Sequence, residues 1–448
     1  MYCQLDTLSR CFPPSIRRVL NDLPATLDGT YERTLQGIPK EKREHAHRLF
    51  QCIVAAIRPL RVEELAEIFA IEFDADTALK VVEDWRPENA EDAVLSACST
   101  LVSVIDDENC KIVQFSHFSV KEFLTSDRFR TSEVTSIHLY HIPLDAAHTT
   151  LARACLAVLL QLDEKINKKR LLKFPLAFYA AQNWVGHAHF EDVISRLKDA
   201  MKRLFDAKRP HLAAWIWIHH VKWENKRTID DLEEAPPSLE GIPLYYAVCC
   251  GFTEFSKYLI VAHQSDVNAS CGRYGSPLHA ASYKGHVNTA RLLLDHGADV
   301  NSDKGGTPPL WRAYQGRRLD SMRLLLAHGA DVDMQGGDFT GTILHHASFM
   351  GRTEVVRLLL QHKADVHAKG FMDQTPLHLA SMYGSAKAVE LLLEYGADMD
   401  AKSGISSSAF EFAESLGCHD IVQLMLEHRA KKMENGSPGK YPIVALIF

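Results

Sequence analysis

Cysteine pairs at metal or redox spacing are missing from this sequence: its ten cysteines lie scattered, with no CxxC pair and no Cys/His grouping suited to zinc. That pattern points away from a disulfide framework and a metal site, and toward reduced thiols in a packed interior. A basic surplus is missing too. Lys and Arg number 50 against 57 Asp and Glu, a formal net charge of −7, which leaves no electrostatic footprint for nucleic acid. The N-terminus, MYCQLDTLSR, has no basic-then-apolar leader, and no window approaches the roughly 18 apolar residues needed to cross a bilayer. The chain therefore reads as intracellular, most simply cytoplasmic, with no membrane partner. Neither a GxxxxGK[ST] phosphate loop nor a GxSxG nucleophile elbow occurs. No cofactor, metal or catalytic residue is expected.

What the chain does contain is a recurring sentence. Residues 277–301, PLHAASYKGHVNTARLLLDHGADVN, have copies on both sides, with leucine anchors at Leu244, Leu278, Leu310, Leu344 and Leu377 and then Phe410. The anchors are spaced 34, 32, 34, 33 and 33 residues apart, a period that points to a solenoid of six units. From each anchor to its closing acidic residue (Leu278 to Asp299, Leu310 to Asp331, Leu344 to Asp365, Leu377 to Asp398) the distance is 21 residues. The helical pair is thus constant and the connecting hairpin takes up the length variation, as expected when packed helices are constrained and surface loops are not.

These residues resemble the ankyrin repeat family over residues 241–430: the TPLHxA opening, the LLLxxGADVN close and the period all match. Thr or Ser before Pro supplies a capping oxygen and a donor-free residue at a helix start, so a short helix is expected at each anchor. Gly285, Gly351, Gly384 and Gly417 stand seven residues beyond their anchors, where a positive φ ends that helix. Two units depart from this pattern. Arg317 takes the aligned glycine position of the third, with Gly316 displaced by one, and Lys363 stands at the close of the fourth where Gly297 and Gly329 stand in its neighbours. A left-handed non-glycine residue costs on the order of 1 kcal/mol, so the third and fourth repeats should be the softer middle of the array.

Upstream, Ala46, Leu49, Phe50, Ile53, Val54 and Ile57 recur at helical spacing. A second helix follows with Val62, Leu65, Ala66 and Phe69 inward, then a third near residues 94–100, and then two β-rich runs separated by residues 106–110. Three helices and a wing suggest a winged-helix domain. DNA binding, its obvious use, is disfavoured because the second helix would expose Glu63, Glu64 and Glu67 and the third carries no Lys or Arg. LPATLDGTYERTL, IRPLRVEELAEIFAIEF and FSHFSVKEFL carry a second resemblance, to the segment that follows the ATPase core in fungal NACHT-type signalling NTPases. This region is often labelled after GPI inositol-deacylase, a label that implies no enzyme activity here. His117 reads as a packed, hydrogen-bonded residue, and Trp215 and Trp217, at helical spacing beside Ile216 and Ile218, read as core.

The expected fold is mainly α. Residues 1–37 read as a helical remnant after a missing NTPase core, 38–130 as a winged-helix-like domain and 131–235 as a helical connector. Residues 241–430 read as six ankyrin-type repeats forming an α-solenoid with short β-hairpin connections, and 431–448 as a tail. Function then falls to recognition: a non-enzymatic scaffold or adaptor that binds a protein or peptide partner. The alternative is the sensor or effector half of a NACHT-type ATP-dependent signalling protein whose NTPase is absent from this chain, and a DNA-binding regulator comes third. The ankyrin resemblance implies that partners meet the hairpin tips and the two positions before the helix-ending glycine. Those places hold Arg273, Tyr274, Tyr283, Lys284, Phe339, Phe349, Met350, Phe371, Met372, Met382 and Tyr383. Tyr, Phe and Met on solvent-facing sites favour interface hot spots, unless the rings pack on neighbouring repeats.

Overall fold

The computed structural model describes residues 26–73, 79–107, 110–127, 135–163, 166–220, 242–304, 306–336, 341–404 and 407–434. Residues 221–241, at the expected boundary between the connector and the repeats, lie outside them. Two compact units divide at Pro243 and Leu244.

In the first unit, α1 (Leu27–Gln36) and α2 (Arg43–Ala55) precede a two-residue strand, β1 (Leu60–Arg61), and a short helix, α3 (Val62–Ala66). A small hairpin, β2 (Ile71–Glu72) and β3 (Lys80–Val81), comes before α4 (Ala90–Cys98). The wing is β4 (Val102–Asp107) against β5 (Cys110–Phe115), and the sheet order β1-β5-β4 is set by Leu60 opposite Val113 and Val104 opposite Val113. The wing strands reach further than the sequence pattern suggests, since Asp107 pairs with Cys110.

The second helix corrects one expectation. Glu63 is exposed, but Glu64 and Glu67 are buried. Both carboxylates face inward onto arginines, Glu64 from within the five-residue α3 and Glu67 from the start of the 3₁₀ turn that follows it. Glu64 receives Arg58 Nη1 and Nη2 at 2.7 and 2.6 Å and the Arg61 backbone N–H at 2.8 Å. Glu67 receives Arg86 Nε and Nη2 at 3.0 and 2.6 Å, although burial pushes its carboxyl up against the pull of that arginine. Two bidentate pairs of this kind satisfy charges that would be costly alone.

His117 is also corrected in part, because it is exposed rather than packed. It is the N-cap of α5 (Phe118–Thr125), where its Nδ1 accepts the Ser119 N–H at 3.3 Å and lies 2.6 Å from Ser119 Oγ.

The connector helices are α6 (Leu144–Leu159), α7 (Lys168–Leu171), α8 (Ala177–Ala188), α9 (Val193–Arg196), α10 (Lys198–Leu204) and α11 (His211–His220). Helix α6 is the spine, packed by α2 and α8, with every residue from Ala154 to Leu159 fully buried. Leu144 is exposed at its first turn. Trp215 is core, with its ring 5.4 Å from Trp184 and its Nε1–H donating to Ala181 O at 3.0 Å, and Trp217 is buried beside it. Tyr179 ties α8 to the winged helix, its hydroxyl accepting the Ile57 N–H at 3.1 Å.

The second unit is built of six helical pairs, α12 (Pro243–Cys249) and α13 (Thr253–His263), α14 (Pro277–Lys284) and α15 (Val287–Asp295), α16 (Pro309–Gln315) and α17 (Leu319–Ala327). They continue as α18 (Ile343–Phe349) and α19 (Thr353–Gln361), α20 (Pro376–Met382) and α21 (Ala386–Glu394), α22 (Ala409–Ser415) and α23 (His419–Glu434). Among the described residues the connections are turns, closed by isolated bridges at Cys271–Gly275 and Lys402–Ser408 rather than by longer strands. Gly285 ends α14 at φ +82°. Arg317 and Lys363 adopt φ +57° and +65°, the strained conformations that the pattern implies. Gly316 shows why the glycine is displaced: a Cβ there would sit 2.1 Å from Tyr283 O, so the residue is needed for close approach to the second repeat.

Candidate partner-binding surface

The buried side of each repeat decides which residues remain for a surface. His279, His345 and His378, each next to an anchor leucine, are fully buried. The Nδ1 of His345 accepts from the Thr342 N–H at 3.2 Å and hydroxyl at 2.9 Å, and that of His378 from the Thr375 N–H at 3.1 Å and hydroxyl at 2.8 Å. Ser276 Oγ meets His279 Nδ1 at 2.7 Å. Thr342 and Thr375 thus form capping boxes in which His345 and His378 take the place of the usual Glu or Gln, while Ser408 caps its helix through the Glu411 N–H at 3.2 Å. With Nδ1 an acceptor, each Nε2–H donates onward to the next connection, at Ser302 O, Gln374 O and Ser407 O, all at 3.1 Å. Burial holds all three histidines below the ordinary imidazole range, His279 down to about 4.

A second ladder joins the repeat closes. Asn268 accepts the Asp299 N–H at 2.9 Å and donates to Gly297 O at 3.0 Å; Asn301 accepts the Asp331 N–H at 2.8 Å and donates to Gly329 O at 3.3 Å. At the third-to-fourth junction Asp333 takes this place. It accepts the Asp365 N–H at 3.1 Å, but an ionised carboxylate has no proton to give to a carbonyl. Helices α16 and α18, and α17 and α19, also approach less closely here than at the other junctions, where at least one pair packs closely. Large rings fill the gap: Tyr314 Oη lies 2.8 Å from His346 Nδ1, and the Arg352 guanidinium lies 4.6 Å over the Tyr314 ring.

The exposed residues gather in the fourth and fifth repeats. Met350, Phe371, Met372 and Tyr383 are 52, 60, 51 and 56% exposed, large fractions for apolar and aromatic side chains. Phe349 and Met382 are half-buried beside them. Phe349 meets Tyr383 edge-on at 4.2 Å, and Gln374 Nε2 lies 3.5 Å from Met382 Sδ. Phe371 and Met372 sit on the hairpin between the two repeats, where Met372 and Asp373 take φ +53° and +55°. Two consecutive non-glycine residues at positive φ store backbone strain.

The second repeat is different. Tyr274 is buried and leaves the candidate set: the Tyr245 hydroxyl accepts its backbone N–H at 3.1 Å, and its ring stacks on Tyr283 at 4.7 Å. Tyr283 and Lys284 are half-buried and Arg273 is exposed. Phe339 lies outside the described residues. Sequence reasoning missed His346, which stands 5.4 Å from Tyr314 and 5.9 Å from Phe349. It completes a run of rings from Trp311 to Tyr383. Its position outside the variable pair gave no sequence signal.

The family model described as ankyrin repeats (3 copies) matches residues 244–336, 333–403 and 369–436. The second unit is an array of ankyrin repeats. Ankyrin repeats imply a protein-interaction module. The model for the GPI inositol-deacylase, winged helix domain matches residues 31–135, and the order of α2, β1, α3, α4, β4 and β5 fits that description.

Among similar proteins, the azaphilone pigments biosynthesis cluster protein L of Monascus ruber is 29% identical over 295 residues, 63% of this chain and 61% of that protein. Ankyrin repeat and SOCS box protein 5 of Oryctolagus cuniculus is 35% identical over 96 residues, 21% of this chain and 28% of that protein. The chain thus spans less than two thirds of the length of these relatives. The ankyrin repeat domain of Bcl-3 is 27% identical with a TM-score of 0.38, covering 41% of this chain and 81% of that one. An ankyrin repeat domain from Acinetobacter baumannii AYE is 26% identical with a TM-score of 0.39, covering 42% and 97%. Among the described residues no helix is long and apolar enough to cross a membrane.

Proposed function

We propose that this chain is a non-enzymatic, intracellular scaffold or adaptor that captures a protein or peptide partner on its fourth and fifth ankyrin repeats. The observation that carries the reading is that Met350, Phe371, Met372 and Tyr383 are all exposed on two adjacent repeats, with Phe349 and Met382 half-buried. Two adjacent repeats and the strained hairpin between them supply these residues. Apolar and aromatic groups of this kind dominate interface hot spots, and their exposure on adjacent repeats marks an interaction surface. Arg273, Tyr283 and Lys284 extend the surface toward the second repeat.

The test is a four-site variant, Met350→Ala, Phe371→Ala, Met372→Ala and Tyr383→Ala, compared with the unmodified protein in affinity capture from its native extract. A partner held by the unmodified protein and lost by the variant, with unchanged unfolding midpoints, supports the reading. Equal retention by both proteins sinks it.

A second reading, the sensor or effector half of a NACHT-type ATP-dependent signalling protein, is favoured by the winged-helix match over residues 31–135. An immunoblot of the native protein separates the two. A band several tens of kilodaltons above the chain's 50.3 kDa supports the second reading, and a band at that mass supports the first.

A further inference from the structure

Helix α2 has two faces. Ala46, Leu49, Phe50 and Val54 are buried in the winged-helix core. The other face, with the turn before it, carries Lys40, Arg43, Glu44, His47 and Arg48, and it borders a cavity of about 700 Å³ completed by Arg153 of α6 and Phe73 after β2. A volume of this size suits a small-molecule ligand.

The charges in this cavity run against the balance of the whole chain. Four cationic side chains, Lys40, Arg43, Arg48 and Arg153, line it together with a single carboxylate, Glu44, which pairs with Arg48. The chain as a whole carries −7. The guanidinium groups are also held in position. Arg43 donates from Nε to Ile38 O at 3.1 Å and from Nη2 to Gln36 O at 3.3 Å, and Arg153 donates from Nη2 to Phe73 O at 2.8 Å. Arg48 and Arg153 both lie over the Phe73 ring, at 4.9 and 5.8 Å from its centroid. Cations scattered over a solvated helix face have no such common anchor. Concave walls focus a field of one sign, and guanidinium forks match phosphate oxygens bidentately.

We propose that this cavity binds a small molecule carrying two or more phosphate groups. Arg43, Arg48 and Arg153 grip the phosphates, Lys40 closes the rim, and Phe73 backs the two guanidinium groups that turn toward the ligand. The site belongs to the first unit and is independent of partner capture by the repeats.

The experiment is calorimetric titration of the full chain with inorganic pyrophosphate and, separately, with myo-inositol hexakisphosphate, together with thermal unfolding in each. Saturable binding and a raised midpoint with either probe support the proposal. Preference for pyrophosphate assigns a diphosphate-bearing ligand, and preference for the inositol compound assigns a polyol phosphate. Arg48→Gln with Arg153→Gln should weaken binding at least about tenfold. Lys40→Gln, at an exposed position, should weaken it several-fold without changing the unliganded midpoint. No saturable binding of either probe overturns the proposal, as does unchanged affinity in Lys40→Gln and in the double arginine variant.

Discussion

Mild acid should loosen the ankyrin array, and His279 allows the size of the effect to be worked out. The folded state holds this imidazole neutral, down to about 4 against an ordinary 6.5, because burial disfavours the charged ring and the nearby Arg312 charge adds to that. Unfolded, it takes up a proton near pH 6.5. The unfolded state therefore binds more protons between pH 6.5 and 4, and stability that is fully present above that window is lost as the pH falls through it. For a shift of that size the loss is about 2 kcal/mol by pH 5 and about 3 kcal/mol below pH 4. His345 and His378 are depressed in the same direction by the same burial and add to the slope. His187, in the first unit, is also held at about 4, so a whole-chain melt mixes both units. Amide hydrogen exchange resolves them: protection of α14 and α15 should fall steeply from pH 7 to 5 after correction for intrinsic exchange. His279→Gln should flatten that slope locally. Unchanged opening free energies across this range, or an unaltered slope in the variant, would refute the reasoning.

Other perturbations follow from the same geometry. Arg317→Gly and Lys363→Gly should each stabilise the repeats by about 1 kcal/mol by removing a left-handed side-chain penalty, read as a higher urea midpoint. Asp333→Asn should add about 1 kcal/mol by supplying the donor that Asn268 and Asn301 supply elsewhere, and a midpoint lower than that of the unmodified protein would contradict the ladder. Glu67→Ala leaves Arg86 without its buried partner and should cost about 3 kcal/mol in thermal unfolding of the first unit. Trp215→Ala empties a site walled by Trp184 and Phe205 and should cost about 3–5 kcal/mol, followed by the loss of cooperative tryptophan fluorescence change.

The repeats were legible because their chemistry is local and periodic. Anchors, turn glycines and LLL blocks recur at a constant interval, and the one displaced glycine, Gly316, was visible as a displacement before its cause was. That cause is tertiary: a carbonyl of the previous repeat occupies the space. The same limit explains Tyr274, whose place on a hairpin tip says nothing of Tyr245 and Tyr283 closing over it. Glu64 and Glu67 read as a solvated acidic face because their partners, Arg58 and Arg86, stand 6 and 19 residues away. Strands β1, β2 and β3 hold two residues each, too few to show an alternation, and exist through pairing alone. The exposed set was legible as residue types at variable positions. Its confinement to the fourth and fifth repeats was not, since that depends on which rings a neighbour covers.

The softness expected in the middle of the array acquires a specific location in the structure. At the third-to-fourth junction the helix pairs stand further apart, Asp333 lacks the donor that completes the ladder, and Arg317 and Lys363 strain the turns on either side. What spans this junction instead is the run Trp311, Tyr314, His346 and Phe349, stacked or edge-on at 5.4–5.9 Å, which ends against Tyr383 at 4.2 Å. Tyr383 and Met350 belong to the exposed set, so a partner seated there presses on the same rings that set the spacing of the joint. Binding that immobilises Phe349 and Tyr383 favours whichever joint geometry keeps those rings in contact, because a ligand shifts an equilibrium by its differential affinity for the two arrangements. Strain at Met372 and Asp373 lies on the same side of the joint, which is where a fold that must respond to a ligand stores it. The expected signature is that a captured partner raises amide protection in α16 and α18, on both sides of the junction, and not only in the repeats it touches.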